Sequence, residues 1–234
     1  MSMLEEITPS PRRVMTLFYL VDTSGSMSGS KIGTVNGAME ECQELLKEVA
    51  QANDDAEIKV AIMEFSSGCS WVWNDLQAGG ITDFGGALLE LDKKLSRNEF
   101  LKSQTGAYAP VILLLSDGGP TDDWETALAQ IKKNNWFKSA IKIAIDIESG
   151  SERSVLEAFT GNSEAILDAK DQSTLKKMIH KVSVRASEFQ SHSKQSGETI
   201  SSPEEDAANI VKDVADEIAA DNGGIETQPE WENW

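Results

Sequence analysis

Five oxygen-bearing side chains in three separate stretches of this 234-residue chain have the types and spacing to hold a cation. Asp22, Ser24 and Ser26 alternate along Val21-Asp22-Thr23-Ser24-Gly25-Ser26-Met27-Ser28-Gly29, so one carboxylate and two hydroxyls turn toward a common point while Gly25 lets the backbone bend between them. Thr82 lies in the glycine-rich stretch Gly79-Gly80-Ile81-Thr82-Asp83-Phe84-Gly85-Gly86, and Asp117 in Ser116-Asp117-Gly118-Gly119-Pro120. Two carboxylates and three hydroxyls are hard donors. They suit Mg2+, which takes oxygen ligands in octahedral geometry and keeps part of its water; Mn2+ and Ca2+ accept the same donors. Singly, each residue has an ordinary explanation, a capped turn for the serines and a solvated loop carboxylate for Asp117. Together and in this order they describe a site.

For the site to exist, the elements before each stretch must end on one rim. Residues 14–21 form a continuous apolar run, as expected of a strand covered on both faces of a parallel sheet. Ile32, Val35, Met39, Cys42, Leu45, Leu46 and Val49 then recur at helical spacing and predict a helix over 31–52. Residues 58–65 read as a second strand. Trp71-Val72-Trp73 follows too closely for a helical crossover and reads as a short edge strand, its two tryptophans on one face and buried under a neighbouring helix, with an exposed aromatic binding patch as the second reading. Leu88, Leu91 and Leu95 mark a helix after the Thr82 loop, 98–110 a connection, and Val111-Ile112-Leu113-Leu114-Leu115 the most apolar and hence most central strand. Thr121, Asp122 and Asp123 start another helix with acids in its first turn. A strand over 140–147, a short helix over 154–159, a short strand over 165–167 and a helix over 175–189 complete the series. Alternating strands and helices predict an α/β fold with a doubly wound, mostly parallel central sheet flanked by helices. Such sheets place ligands beyond the carboxyl ends of the strands, at the point where strand order reverses.

The chain divides into a lead-in over 1–13, a domain over 14–189 and an acidic tail over 190–234. The tail holds eleven acidic residues from Gln195 onward against Lys212 alone, more than half of the formal net charge of -18. It also carries Ser202-Pro203-Glu204-Glu205, a capping serine with proline at the first helical position, and a stripe of Ile210, Val211, Val214 and Ile218, which predict a helix over 203–221. Two tryptophans in Pro229-Glu230-Trp231-Glu232-Asn233-Trp234 read as a linear docking motif or as nothing. The charge argues against nucleic acid and against an anionic membrane surface as partners, both of which call for a basic footprint. No apolar leader and no run long enough to span a bilayer is seen, so a cytoplasmic protein is expected. Cys42 sits on a helical stripe as a buried free thiol; with Cys69 and two histidines scattered, no zinc site is expected.

The site set resembles the metal-ion-dependent adhesion site (MIDAS) of the von Willebrand factor A (VWA) family, built from Asp-x-Ser-x-Ser, a later threonine and a later aspartate. The resemblance covers residues 14–189. Asp22-Thr23-Ser24-Gly25-Ser26-Met27-Ser28-Gly29, Ile81-Thr82-Asp83-Phe84-Gly85 and Ser116-Asp117-Gly118-Gly119-Pro120-Thr121-Asp122-Asp123-Trp124 are also similar to bacterial TerY-type proteins, linked to tellurium resistance and stress gene clusters. The resemblance implies a non-catalytic interaction module. In it Asp22, Ser24 and Ser26 hold the ion, Thr82 and Asp117 hold it directly or through water, and a partner protein's acidic side chain completes the coordination. Two other readings compete. A Mg2+-dependent phosphoryl-transfer enzyme also places an aspartate after its first strand, but here no paired aspartate follows Asp22, no lysine or histidine stands in the three loops, and no Walker-type loop is present. A scaffold could instead act through the tail helix as a second contact, docked on its own domain or on a partner.

Overall fold

A computed structural model describes residues 12–52, 56–73, 75–99, 101, 106–192 and 201–223. The lead-in up to residue 11 and the terminal tryptophan segment lie outside the described residues. Six strands form one sheet: β1 (Arg13–Asp22), β2 (Ala56–Phe65), β3 (Cys69–Val72), β4 (Val111–Ser116), β5 (Ile141–Ile147) and β6 (Ile166–Ala169), in the spatial order β3-β2-β1-β4-β5-β6. All neighbours run parallel except β2 and β3, which are antiparallel, as their short connection requires. β3 reaches only Ile62–Phe65 of β2.

The strand order places the switch point between β1 and β4. The chain leaves β1 toward β2 and β3 on one side, then returns to build β4, β5 and β6 on the other. Val21 lies opposite Leu115, so Asp22 and Ser116 leave the sheet side by side. β4 is buried along its whole length, in keeping with its unbroken apolar sequence.

Alternate residues of the central strands feed two cores. Leu17, Tyr19 and Val21 of β1, with Leu113 and Leu115 of β4, face α1 (Ser30–Ala52) and α6 (Gln172–His192). Phe18 and Leu20, with Ile112 and Leu114, face α2 (Phe84–Lys94), α3 (Trp124–Ile131) and α5 (Arg153–Thr160). Burying an average leucine or phenylalanine here stabilises by roughly 1.5–3 kcal/mol. Cys42 is a buried free thiol on the apolar stripe of α1, and burial pushes its pKa up to about 11.

Two local expectations change. A short helix, α4 (Asn135–Ser139), stands between α3 and β5, where the sequence reading passes directly to a strand; Asn134 caps it, its Oδ1 accepting from the Trp136 amide at 2.9 Å. Trp73 is 82% exposed rather than buried beside Trp71. β3 ends at Val72, so strand alternation no longer governs Trp73; Trp71 does pack edge-on to Phe18 and donates Nε1–H to Glu90 of α2 at 3.2 Å.

The tail forms α7 (Pro203–Gly223), and it packs on its own domain. Ala207, Ile210, Val211, Val214 and Ile218 are buried in the core shared with α1 and α6. Ser202 and Glu205 form a reciprocal capping box: the Glu205 amide donates to Ser202 Oγ at 3.2 Å and the Ser202 amide to Glu205 Oε2 at 3.1 Å. Lys181 and Arg185 of α6 pair with Glu217. Lys142, buried at the start of β5, donates to the Phe137 and Ala140 carbonyls and lies 3.8 Å from Glu204. Among the described residues, no helix is long and apolar enough to cross a membrane.

Candidate metal centre

β1 delivers Asp22 to the rim at its last residue. The carboxylate is buried, and both oxygens accept hydrogen bonds: Oδ1 from the Ser24 amide at 2.8 Å, Oδ2 from Ser116 Oγ at 2.7 Å. The first bond folds the chain back at once, so the serines follow in a tight turn rather than an extended loop. Met27, fully buried, then pins the turn to the core. Burial pushes the Asp22 carboxyl above the usual carboxylate range, partly offset by the donors from Ser116 and Ser24. A nearby positive charge would favour its ionised form.

Ser24 Oγ and Ser26 Oγ stand 3.1 Å apart, and Ser26 Oγ donates to Asp117 Oδ1 at 2.6 Å. Asp117, one residue beyond β4, is buried; its other oxygen accepts from Lys31 Nζ at 2.7 Å. Lys31 also lies 3.2 Å from Glu148, which follows β5. Burial pulls the Lys31 ammonium down, but its bonds to Asp117 and Glu148 outweigh that and hold it above the ordinary lysine value.

The Thr82 loop is laced to the same turn by backbone bonds. The Gly25 amide donates to the Gly80 carbonyl at 3.1 Å, the Gly79 amide to the Thr23 carbonyl at 2.7 Å. Gly80 has φ +86, and a side chain there would run into Ser67, so glycine is required. Thr82 is buried, and its carbonyl accepts from the Thr121 amide at 2.9 Å, tying the second and third loops together. Asp83 caps α2 through the Gly86 amide, while Asp122 accepts from the Gly85 amide. Asp123, not Asp122, caps α3 by accepting from the Thr126 amide, so Asp122, expected in the first turn of that helix, instead ties the third loop to the start of α2.

The structure thus joins Asp22, Ser24, Ser26 and Asp117 through hydrogen bonds among themselves and Ser116, and sets Thr82 beside them through its loop. Ser116, Lys31 and Glu148 are participants that sequence reasoning passes over. Ser116 is the hydroxyl next to Asp117, and its role follows from the pairing of β4 with β1, which no local motif announces. Lys31 reaches in from the first turn of α1, just outside the three loops where no lysine stands.

The donor chemistry is specific in kind. Among the described residues no three His, Cys, Asp or Glu side chains gather to hold a metal. The rim offers carboxylate and hydroxyl oxygens instead, with no soft ligand, a set that fits a hard divalent cation. The Lys31 ammonium lies on Asp117 as its counter-charge within the chain.

This architecture is a VWA-like α/β fold. Among solved structures it is similar to proximal thread matrix protein 1 from the mussel byssus (TM-score 0.58, 16% identity, 75% of this chain and 48% of that one). It is also similar to the ArnB paralog VWA2 from Sulfolobus acidocaldarius (TM-score 0.51, 17% identity, 71% and 44%). A third likeness is to the pilus adhesin SpaC from Lactobacillus rhamnosus GG (TM-score 0.56, 14% identity, 76% and 31%). A further structure of the mussel protein has a zinc-occupied MIDAS motif (TM-score 0.54, 14% identity, 75% and 46%). The chain spans less than half the length of each of these proteins. No protein-family model and no curated protein sequence matches the chain.

Proposed function

We propose that this protein is a metal-dependent protein-interaction module without catalysis, in which Asp22, Ser24, Ser26, Thr82 and Asp117 hold a divalent cation, Mg2+ in the first instance. The observation that carries the reading is the chain of contacts Ser24–Ser26–Asp117–Lys31, which ends in a cation seated on a buried carboxylate. The ion would supply a Lewis-acidic, positively charged point at the rim. The protein's own carboxylates neutralise it only in part, so an acidic side chain of a partner protein is the natural ligand to complete it. Absence of catalysis is supported by the groups at hand: His180, a candidate proton carrier, is tied to the Ala38 carbonyl and Glu41 on α1. The domain we assign to this role covers residues 14–189, with 190–234 as its acidic extension. The likeness of the three loops to TerY-type sequences supports a place in a cytoplasmic bacterial stress or tellurium-resistance system.

Ser24→Ala and Asp117→Ala in the full chain test the reading. Both are expected to keep the wild-type circular dichroism spectrum, to lose Mn2+ and Mg2+ binding by calorimetry, and to lose chelator-sensitive capture of partner protein. Metal binding that survives both substitutions would overturn it.

A further inference from the structure

Lys31 is out of place by the usual rule for helices. It is the second residue of α1, where the aligned peptide dipoles favour anions, and the first turn of α1 carries no acidic residue. A lysine at that point gains nothing from its own helix. Its ammonium instead spans two anions from other elements, Asp117 at 2.7 Å and Glu148 at 3.2 Å. With Ser26 donating to Oδ1 and Lys31 to Oδ2, both Asp117 oxygens are committed inside the chain.

We propose that Lys31 is the centre's built-in competitor cation: it neutralises Asp117 in the metal-free protein, has to leave that carboxylate when a divalent ion binds, and so sets the metal concentration at which the rim is armed for a partner. This rests on the metal reading above. An ammonium and a dication on one carboxylate repel each other strongly at such distances, so the two are alternatives. The geometry also supplies a place for the displaced group. Glu148 and Ser149 both adopt left-handed backbone, φ 57 and φ 53, and the Glu148 amide donates to the Ala169 carbonyl at 2.7 Å. That turn holds the Glu148 carboxylate beside Lys31, whose flexible stem can pivot onto it and give up only one of its two partners. The device protects a site whose buried carboxylate would otherwise stand unpaired without metal.

Calorimetric Mn2+ titration of the full chain tests this with wild type, Lys31→Met and Lys31→Arg, at about 0.05 M and about 0.5 M NaCl. Lys31→Met is expected to bind Mn2+ roughly tenfold or more tightly, since a charge-assisted contact no longer competes, and to keep that gain at high salt. Lys31→Arg stays near wild type. In wild-type protein, the Lys31 Cε NMR signal shifts on Mg2+ saturation, a readout that requires no variant to fold. Wild type and Lys31→Met binding within about twofold of each other overturns the competitor role while leaving the metal reading intact. A gain that vanishes at high salt, or a Lys31 signal unmoved by metal, also overturns it, the former by reducing the effect to long-range field. If neither protein binds metal, both readings fall.

Discussion

At the scale of single residues, Ser116 is the least conspicuous member of the centre and one of the most constrained. Its hydroxyl donates to Asp22 Oδ2 at 2.7 Å and accepts from the Gly118 amide at 3.3 Å, so it fixes the first carboxylate and shapes the loop carrying Asp117. Ser116→Ala would leave a buried carboxylate oxygen without its donor. The expected outcome is a loss of about 1–3 kcal/mol of stability in urea denaturation, together with weaker Mn2+ affinity by calorimetry. Unchanged values for both would show that Asp22 is held by the Ser24 amide alone. That Asp22, Ser24 and Ser26 lie together was legible in the sequence because alternate spacing turns their oxygen atoms one way, and Asp117 was legible because it follows the most apolar strand. Ser116 and Lys31 were not, since their roles depend on which strands lie side by side and where a long side chain swings. Neither fact has a one-dimensional signature.

Among the elements, α7 shows how much a pattern can and cannot say. The apolar stripe and capping box predict a helix, and a helix is present, but nothing in the stripe tells which surface covers it. The covering surface is this protein's own: Val214 is fully buried, and α6 supplies the cationic partners. Val214→Asp should therefore undock α7. Hydrogen exchange would show fast amides across Pro203–Gly223 while the amides of β1 and β4 stay protected; retained protection in α7 would contradict the packing described above. The docking also depends on pH in a definite direction. Arg185, then Lys181, hold the Glu217 carboxyl below its usual value. Its contribution is thus complete above the unfolded carboxylate pKa and fades as pH falls through the lower folded value. The pair is partly exposed, so Glu217→Gln should cost less than about 1 kcal/mol at neutral pH and flatten the acid side of the stability profile. Strands and long helices were read correctly because burial on two faces or one leaves a period in the sequence. Trp73 and α4 escaped because each depends on where a neighbouring element stops.

For the molecule as a whole, the proposed metal centre would be thermodynamically linked to the scaffold. A ligand that binds only the folded state raises stability by about 2.7 kcal/mol at a free concentration of 100 times its Kd. Mg2+ should accordingly raise the melting temperature of wild-type protein in a concentration-dependent way and leave Asp117→Ala unmoved; a shift of equal size in both would place the ion elsewhere. The two amide bonds between the first and second loops, from Gly25 to Gly80 and from Gly79 to Thr23, carry a consequence for speed. They fasten both loops to each other within the protein, so on the reading proposed above the group that has to move for an ion to enter is the Lys31 side chain, held by Asp117 and Glu148. On that reading the slow event in capture would belong to the ion and not to the protein. Mg2+, which sheds its water reluctantly, should enter more slowly than Ca2+ even where the two bind with equal strength.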